Sequence, residues 1–270
     1  MLDVTNRENR ASEPPRSSGD VLTAQQVADY RDKGWVLARG FVAPAAVEML
    51  ARWTDELTVR PEEPGKHMVY YEPSLTEPGK RVIQRIENFC PHHVGFDAFV
   101  HGRELRQAVD QLLAAPACLF KDKINFKMPG GAGFEPHQDQ QAGWSRYARM
   151  FVTALVTIDR ATIETGCLEM GDGARVIGLI GEEWRPLAAA EMTGFSLVPV
   201  PTEPGDVLFF DSYAPHASKP NMTDRARRIL YLTYNAAAEG DFCKRYFTEK
   251  RDSFPPDIER APGVEYRFRV

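Results

Sequence analysis

From about residue 67 onward the chain is written mostly in short runs that favour extended backbone. The runs "HMVYYE", "RVIQRIENF", "ACLFKDKINFKM", "RMFVTALVTID", "DVLFFD" and "RRILYLTYN" are rich in β-branched and aromatic residues, and Gly, Pro and Asp separate most of them. One helical stretch, "ELRQAVDQLLAA" at 104–115, interrupts the series. Two helices precede it. In "LTAQQVADYRDKGWV", Thr23 can cap the helix, Gln26 completes a capping box and Gly34 stops it. In "APAAVEMLARWTDELTVR", Pro44 sits in the first turn and Val47, Leu50, Trp53 and Leu57 recur at helical spacing. "VLARGFV" between them reads as a short strand. Helices first and many short strands after predict an α+β protein. Its core would be a double-stranded β-helix, a jelly roll of the cupin kind, flanked by N-terminal helices.

Composition narrows the classes. Length suits a single domain over 21–270, after a polar segment, 1–20, expected to be a disordered tail without the apolar core of a signal peptide. A net charge of −5 argues against a nucleic-acid partner, and no apolar run is long enough to span a membrane. The four cysteines, Cys90, Cys118, Cys167 and Cys243, are scattered with no CxxC, which suits a reducing cytoplasm.

"GFEPHQDQQAGW" carries the chemistry. His137 and Asp139 are two residues apart, so in an extended segment they reach the same face. His216, in "DVLFFDSYAPHASKPN", comes after another strand and is the third candidate ligand. Two histidines and one carboxylate make the facial triad of non-haem Fe(II) oxygenases, with positions left open for cosubstrate and oxygen. The pair His137 and Asp139 alone is a weak signal, and His67, His92, His93 and His101 show that an unassigned histidine is common; His92 and His93 read as loop residues. Arg227, opening "RRILYLTYN", strengthens the case. A 2-oxo diacid that chelates a metal through its keto end leaves a far carboxylate, which a guanidinium fork matches. Arg228 points to the opposite strand face. The glycine run "PGGAGF" lacks the phosphate-loop pattern and reads as a turn delivering His137.

The set "HQD … SYAPHASKPNMTDRARRILYLTYN" resembles the phytanoyl-CoA dioxygenase family of Fe(II)/2-oxoglutarate oxygenases, from "LTAQQVADYRDKGWVLARGFV" to about residue 240. The resemblance implies that His137, Asp139 and His216 bind Fe(II). It implies that Arg227 and Ser218 hold the distal carboxylate of 2-oxoglutarate, and that Lys123 and Asn125 line the cosubstrate pocket. Trp144 matches a position where members often carry an aromatic. The implied activity consumes O2 and 2-oxoglutarate and hydroxylates a substrate; related halogenases lack the carboxylate that Asp139 supplies. Two other classes stay open: a non-catalytic metal-binding or sensor jelly roll, and a Zn(II) hydrolase, against which Arg227 argues.

For substrate, "HMVYYEPS" gathers Tyr70, Tyr71 and Glu72, and "VIQRIENF" sets Val82, Gln84, Ile86 and Asn88 on one face against Ile83, Arg85, Glu87 and Phe89 on the other. Strand tyrosines commonly pack in cores, and Arg85 with Glu87 could be a same-face ion pair. The functional reading is a small zwitterion, its amine held by aromatic rings and a carboxylate and its anion by Lys123, Lys127, Arg85 or Arg146. "KINFKMPGGAGFEPHQDQQAGW", with "RIENF" and "DSYAPH", is also similar to the branch that hydroxylates 2-aminoethylphosphonate or its N-trimethyl analogue at the carbon bearing phosphorus. Adjacent tyrosines favour the trimethyl form; another small polar metabolite is the alternative. An apolar acyl-CoA fits poorly, because the candidate pocket strands are polar.

Overall fold

Helix α1 (Ala24–Lys33) forms where its capping signals place it. The Thr23 hydroxyl accepts from the Gln26 backbone N–H at 3.2 Å, the Gln26 amide oxygen accepts from the Thr23 N–H at 2.8 Å, and Gly34 closes the helix in the left-handed region at φ 81°. The structure is a computed structural model and describes residues 20–266. The tail expected at 1–20 lies, apart from Asp20, outside the described residues.

After β1 (Trp35–Ala38) comes α2 (Pro44–Val59), then the hairpin of β2 (Met68–Pro73) and β3 (Arg81–Glu87). Helices α3 (Val94–Val100) and α4 (Arg103–Leu113) lead into the long strand β4 (Ala117–Lys127). The remaining strands are β5 (Phe134–His137), β6 (Phe151–Thr157), β7 (Leu168–Asp172), β8 (Ser196–Pro199), β9 (Val207–Asp211), β10 (His216–Ser218) and β11 (Arg227–Ala236). A last helix, α5, spans Cys243–Ser253. Two antiparallel sheets result: seven strands ordered β1-β9-β6-β11-β4-β3-β2, and four ordered β5-β10-β7-β8. This is the double-sheet core that the strand-rich sequence predicts. No described helix is long and apolar enough to cross a membrane.

The large sheet buries both faces. Ile86, Ile124, Phe126, Leu230 and Leu232 meet Leu50, Leu57, Phe96, Leu105 and Leu112 of the helical layer. On the other face Leu155, Phe210 and Ile229 pack with Leu168 and Met170 of the small sheet. Phe120, Trp144, Phe151 and Tyr246 make a third, aromatic cluster beneath α5.

The helix α5 was not expected, since only Tyr246, Phe247 and Lys250 of "CKRYFTEKRDS" are buried. His92 and His93 are not in an open loop: His92 ends a 3-10 turn, and the His93 ring accepts the Phe96 N–H at 3.2 Å to cap α3. The strict alternation expected in "VIQRIENF" breaks at a bulge. Tyr70 pairs with Arg85 but Tyr71 pairs with Ile83, so Gln84 is an extra residue. Arg85 and Glu87 do form an ion pair, Nε to Oε1 at 3.0 Å.

Candidate active site

Strands β5 and β10 are antiparallel neighbours in a register that sets His137 directly opposite His216. Asp139 does not continue the strand; it opens a 3-10 turn, Asp139–Ala142, that swings its carboxylate back towards the two rings. One ligand atom from each of His137, Asp139 and His216 lies within 4.8 Å of the others. His216 Nε2 is 4.0 Å from Asp139 Oδ1, and the imidazole centroids are 4.3 Å apart.

The tautomers are set by the backbone. His137 Nδ1 lies 2.7 Å from the carbonyl of Glu135, and His216 Nδ1 lies 2.9 Å from that of Ala214. A carbonyl only accepts, so each Nδ1 holds the proton and donates it, and each Nε2 keeps a lone pair for a metal. Burial and the neighbouring His216 push the His137 pKa down to about 3, and burial lowers that of His216, so both rings are neutral at ordinary pH. Burial works against the Asp139 carboxylate, yet His216, Lys123 and His137 hold it below the usual range. Two neutral imidazoles and one anion are the donor set that a divalent iron fits.

Gln138, between His137 and Asp139, faces away and is fully buried. Its amide nitrogen donates to the carbonyls of Gly178 and Tyr213 at 2.9 and 2.7 Å, and its oxygen accepts from the Ile180 N–H at 2.8 Å. Gln141 donates to the carbonyls of Glu182 and Arg185 at 2.7 and 2.9 Å. These two glutamines pin the 178–187 loop against the ligand turn, and that loop brings Trp184 to the pocket wall. Gly143 permits the approach: a Cβ there would stand 2.2 Å from the Trp184 ring. Gly133 serves β5 in the same way, since a Cβ would stand 2.4 Å from the Ser218 carbonyl oxygen.

Beside the triad runs the inward face of β4, which alternates Lys121, Lys123, Asn125 and Lys127. Strand register sets Arg227 against Lys127, and Tyr231 against Lys123. Arg227 is 1% exposed, and its Nε and Nη1 have no partner among the described residues. A buried guanidinium with two idle donors is a site prepared for an anion. Lys127 Nζ donates to Ser218 Oγ at 2.8 Å and to the Lys219 carbonyl. Burial and Arg227 push the Lys127 pKa down to about 7, a second sign that this corner lacks an anion. The Tyr231 hydroxyl is within hydrogen-bonding reach of Arg227 and Asn125, and the Asn125 oxygen has no partner among the described residues. Arg228 points the other way, to Asp159 at 2.7 and 2.9 Å and to Asp55.

A cavity of about 600 Å³ contains all three triad residues, together with Lys123, Asn125, Trp144, Ser218 and Tyr231. Of the residues singled out for an amine, none faces it. Tyr70 has Arg85 over its ring at 4.4 Å and Phe254 stacked at 5.4 Å, and its hydroxyl donates to the Phe254 carbonyl. The Tyr71 hydroxyl donates to Glu62 at 2.6 Å, on the other side of the sheet. Glu72 accepts from Gln84 at 2.9 Å and from the Ala132 N–H at 3.1 Å. Asn88 lies past the end of β3 at φ 55°. Arg85 is buried behind the wall in contact with Glu87, Lys127 sits at Ser218, and Arg146 reaches the rim.

Sequence reasoning missed Lys121, Tyr147, Trp184, Tyr246, Lys250 and Phe254, all of which line the cavity. Lys121 had a signal, since it shares the alternation of Lys123 and Lys127.

A family model described as "Phytanoyl-CoA dioxygenase (PhyH)" matches residues 30–229. Over 246 residues the chain is 38% identical to a "2-aminoethylphosphonate dioxygenase" of uncultured bacterium HF130_AEPn_1, covering 91% of this chain and 94% of that protein. It is 36% identical over 237 residues to a "Methylphosphonate hydroxylase" of Gimesia maris, covering 87% of this chain and 88% of that one. Among solved structures, EctD from S. alaskensis with 2-oxoglutarate and 5-hydroxyectoine matches at a TM-score of 0.69 and 20% identity, over 86% of this chain and 83% of that one. At that identity the match concerns the fold alone.

Proposed function

We propose, since this chain belongs to the phytanoyl-CoA dioxygenase family, that it hydroxylates a small organophosphonate at the carbon bound to phosphorus. The enzyme is a non-haem iron dioxygenase that uses Fe(II), 2-oxoglutarate and O2. The substrate we assign is 2-aminoethylphosphonate or its N-trimethyl form.

One observation carries the assignment. The cavity that holds the triad is also lined by Lys121, Lys123 and Lys250. Glu87 is the buried carboxylate that answers Lys121 and Lys250, and it also serves Arg85. Arg85, Lys121, Lys123 and Lys250 are four basic side chains set against two carboxylates, Glu87 and Asp139, which leaves a formal positive surplus that a doubly charged phosphonate neutralises. Burial and Lys121 push the Lys123 pKa down to about 7, which an arriving anion would reverse. Similarity to relatives named for two phosphonates supports the same class. An apolar acyl chain would leave those cations unpaired.

His137, Asp139 and His216 would hold the iron, which when bound supplies the oxidising chemistry that couples decarboxylation of 2-oxoglutarate to hydroxylation. Arg227, with Ser218 and Lys127 beside it, would hold the distal carboxylate of 2-oxoglutarate, and Asn125 and Tyr231 would flank its chain. In balance, one substrate C–H, one O2 and one 2-oxoglutarate give one C–OH, one succinate and one carbon dioxide. The protein's own work is to orient the two anions and to exclude water behind Trp144, Tyr246 and Phe254. Of the aromatic rings lining the cavity, Trp184 would be available to a substrate ammonium in place of Tyr70 and Tyr71, whereas Tyr147 already has Arg146 and Arg245 over its ring.

The test is succinate release from the iron-loaded enzyme with 2-aminoethylphosphonate, its N-trimethyl form, methylphosphonate, and the carboxylate counterpart 3-aminopropanoate. Phosphonates should trigger succinate and the carboxylate should not, because a site built for a dianion is left partly unpaired by a monoanion. Stimulation by the carboxylate with none by any phosphonate would overturn the assignment.

A further inference from the structure

The family-matched region ends at residue 229 and contains the whole triad and Arg227. The cavity wall does not end there. Tyr246, Lys250, Ser253, Phe254, Glu265 and Tyr266 all line it, and all come from the segment beyond that region. The triad, with Arg227, Ser218, Lys123 and Asn125, thus lies within the family-matched region, whereas Tyr231 and the wall supplied by α5 and the residues after it lie beyond it.

Lys250 is the charged group that α5 turns inward. It is buried, bonds the Glu87 carboxylate and lies 5.8 Å from the centroid of Tyr246. Lys121 approaches the same Glu87 from β4, at 3.8 Å, too far for a direct hydrogen bond. It stands over the Trp144 ring at 5.4 Å. Trp144 is 2% exposed and lines the cavity, and its indole N–H has no acceptor among the described residues. A buried donor left idle beside the Lys121 ammonium is an independent sign of a site prepared for an oxyanion.

Position supports the same conclusion. Lys121 is six residues before Lys127 on one strand, so the two are roughly 20 Å apart along it. Lys127 marks the corner with Arg227 and Ser218, and Lys123, whose charge acts on Asp139, lies between. Two basic corners therefore lie along β4, one at Lys127, Arg227 and Ser218, of which Ser218 lines the cavity, and one at Lys121 and Lys250, with Lys123 and Asn125 between them. One suits the distal carboxylate of 2-oxoglutarate; the other has no assigned occupant.

We propose that Lys250 of α5, Lys121 of β4 and the indole N–H of Trp144 form the subsite that binds the substrate's phosphonate oxygens, which makes α5 the specificity-determining element of the enzyme. The inference rests on the phosphonate reading of the site. Glu87 is a positioning residue in it: its carboxylate, which Lys121, Lys250 and Arg85 keep ionised against the cost of burial, holds both ammonium groups at the wall. A phosphonate bound there would present its neighbouring carbon towards the triad.

The test uses the full chain loaded with Fe(II) and compares wild type with Lys250→Met, Lys250→Arg and Trp144→Phe. For 2-aminoethylphosphonate and methylphosphonate, KM and kcat are measured, and so is the KM for 2-oxoglutarate. Loss of one charged hydrogen bond predicts a phosphonate KM about tenfold higher or more in Lys250→Met, with 2-oxoglutarate KM unchanged and partial recovery in Lys250→Arg. Trp144→Phe, which keeps the ring and removes only the N–H, should raise phosphonate KM several-fold; it also decides the matter if Lys250→Met does not fold. Wild-type phosphonate KM in these variants, or an equal rise for 2-oxoglutarate, overturns the subsite while leaving the phosphonate activity of the wild-type enzyme standing. If wild type itself accepts no phosphonate, the functional reading and the subsite fall together.

Discussion

Replacing Arg227 with alanine should raise the 2-oxoglutarate requirement by about 30-fold or more. Truncating one side of a buried charge pair costs about 2–5 kcal/mol, and each 1.4 kcal/mol is about tenfold in affinity. Arg227 is buried with two donor nitrogens that have no partner among the described residues, and Lys127 and Ser218 complete the corner without supplying a carboxylate. The control is built into the strand. Arg228 is its immediate neighbour, but it faces outward to Asp159 and Asp55. Arg228→Ala should lower stability by about 1 kcal/mol or less, as for a partly exposed ion pair, and leave the 2-oxoglutarate KM alone. Initial rates of succinate formation against 2-oxoglutarate concentration decide between the two. The reverse order of effects would mean that the wrong strand face had been assigned to the cosubstrate.

The second large effect is at the triad. His137→Ala, Asp139→Ala and His216→Ala should each abolish substrate-triggered succinate formation and lower the iron retained after desalting. The fold should survive, because each side chain sits at a strand end or turn and bonds the backbone only through its own neighbourhood. Iron content, circular dichroism and turnover are read on the same preparations. Wild-type turnover in any one of the three would remove that residue from the ligand set.

Much of the large sheet was legible because its strands carry their own signal. "RMFVTALVTID" and "RRILYLTYN" are β-rich for long enough to announce strands, and alternation alone separates Arg227 from Arg228. The small sheet was not legible. β10 is three residues, directly preceded by Pro215 and with Pro220 close behind it, and β8 is four partly exposed residues. Such segments are extended because their neighbours pair with them, not because of local preference. The cluster of His137, Asp139 and His216 could still be picked out, since two histidines and a carboxylate are chemically conspicuous wherever they fall, and the fold brings the three together.

The substrate wall failed for a different reason. Tyr70, Tyr71 and Glu72 are conspicuous in sequence but are consumed by structure: Arg85 and Phe254 cover Tyr70, Glu62 takes Tyr71, and Gln84 and the Ala132 N–H take Glu72. The bulge at Gln84 also upsets the face assignment that alternation would give. Lys250 carries no local mark, because its meaning comes from Glu87, far away in the chain on β3. Gln138 and Gln141 were passed over beside their more reactive neighbours, although they fix the loop that brings Trp184 to the cavity. Residues that do chemistry are recognisable by type, whereas residues that shape a pocket are recognisable only once the strands and helices have met.

The most direct measurement is of where the oxygen goes. The iron-loaded enzyme is given 2-oxoglutarate, 2-aminoethylphosphonate and heavy-isotope O2, and product and succinate are examined by mass and by phosphorus NMR. A phosphonate hydroxylated next to phosphorus, with label in its new hydroxyl and in succinate, one succinate per product, is the result expected. Succinate formed without any new phosphorus resonance, or an unlabelled product hydroxyl drawn from water, would contradict it.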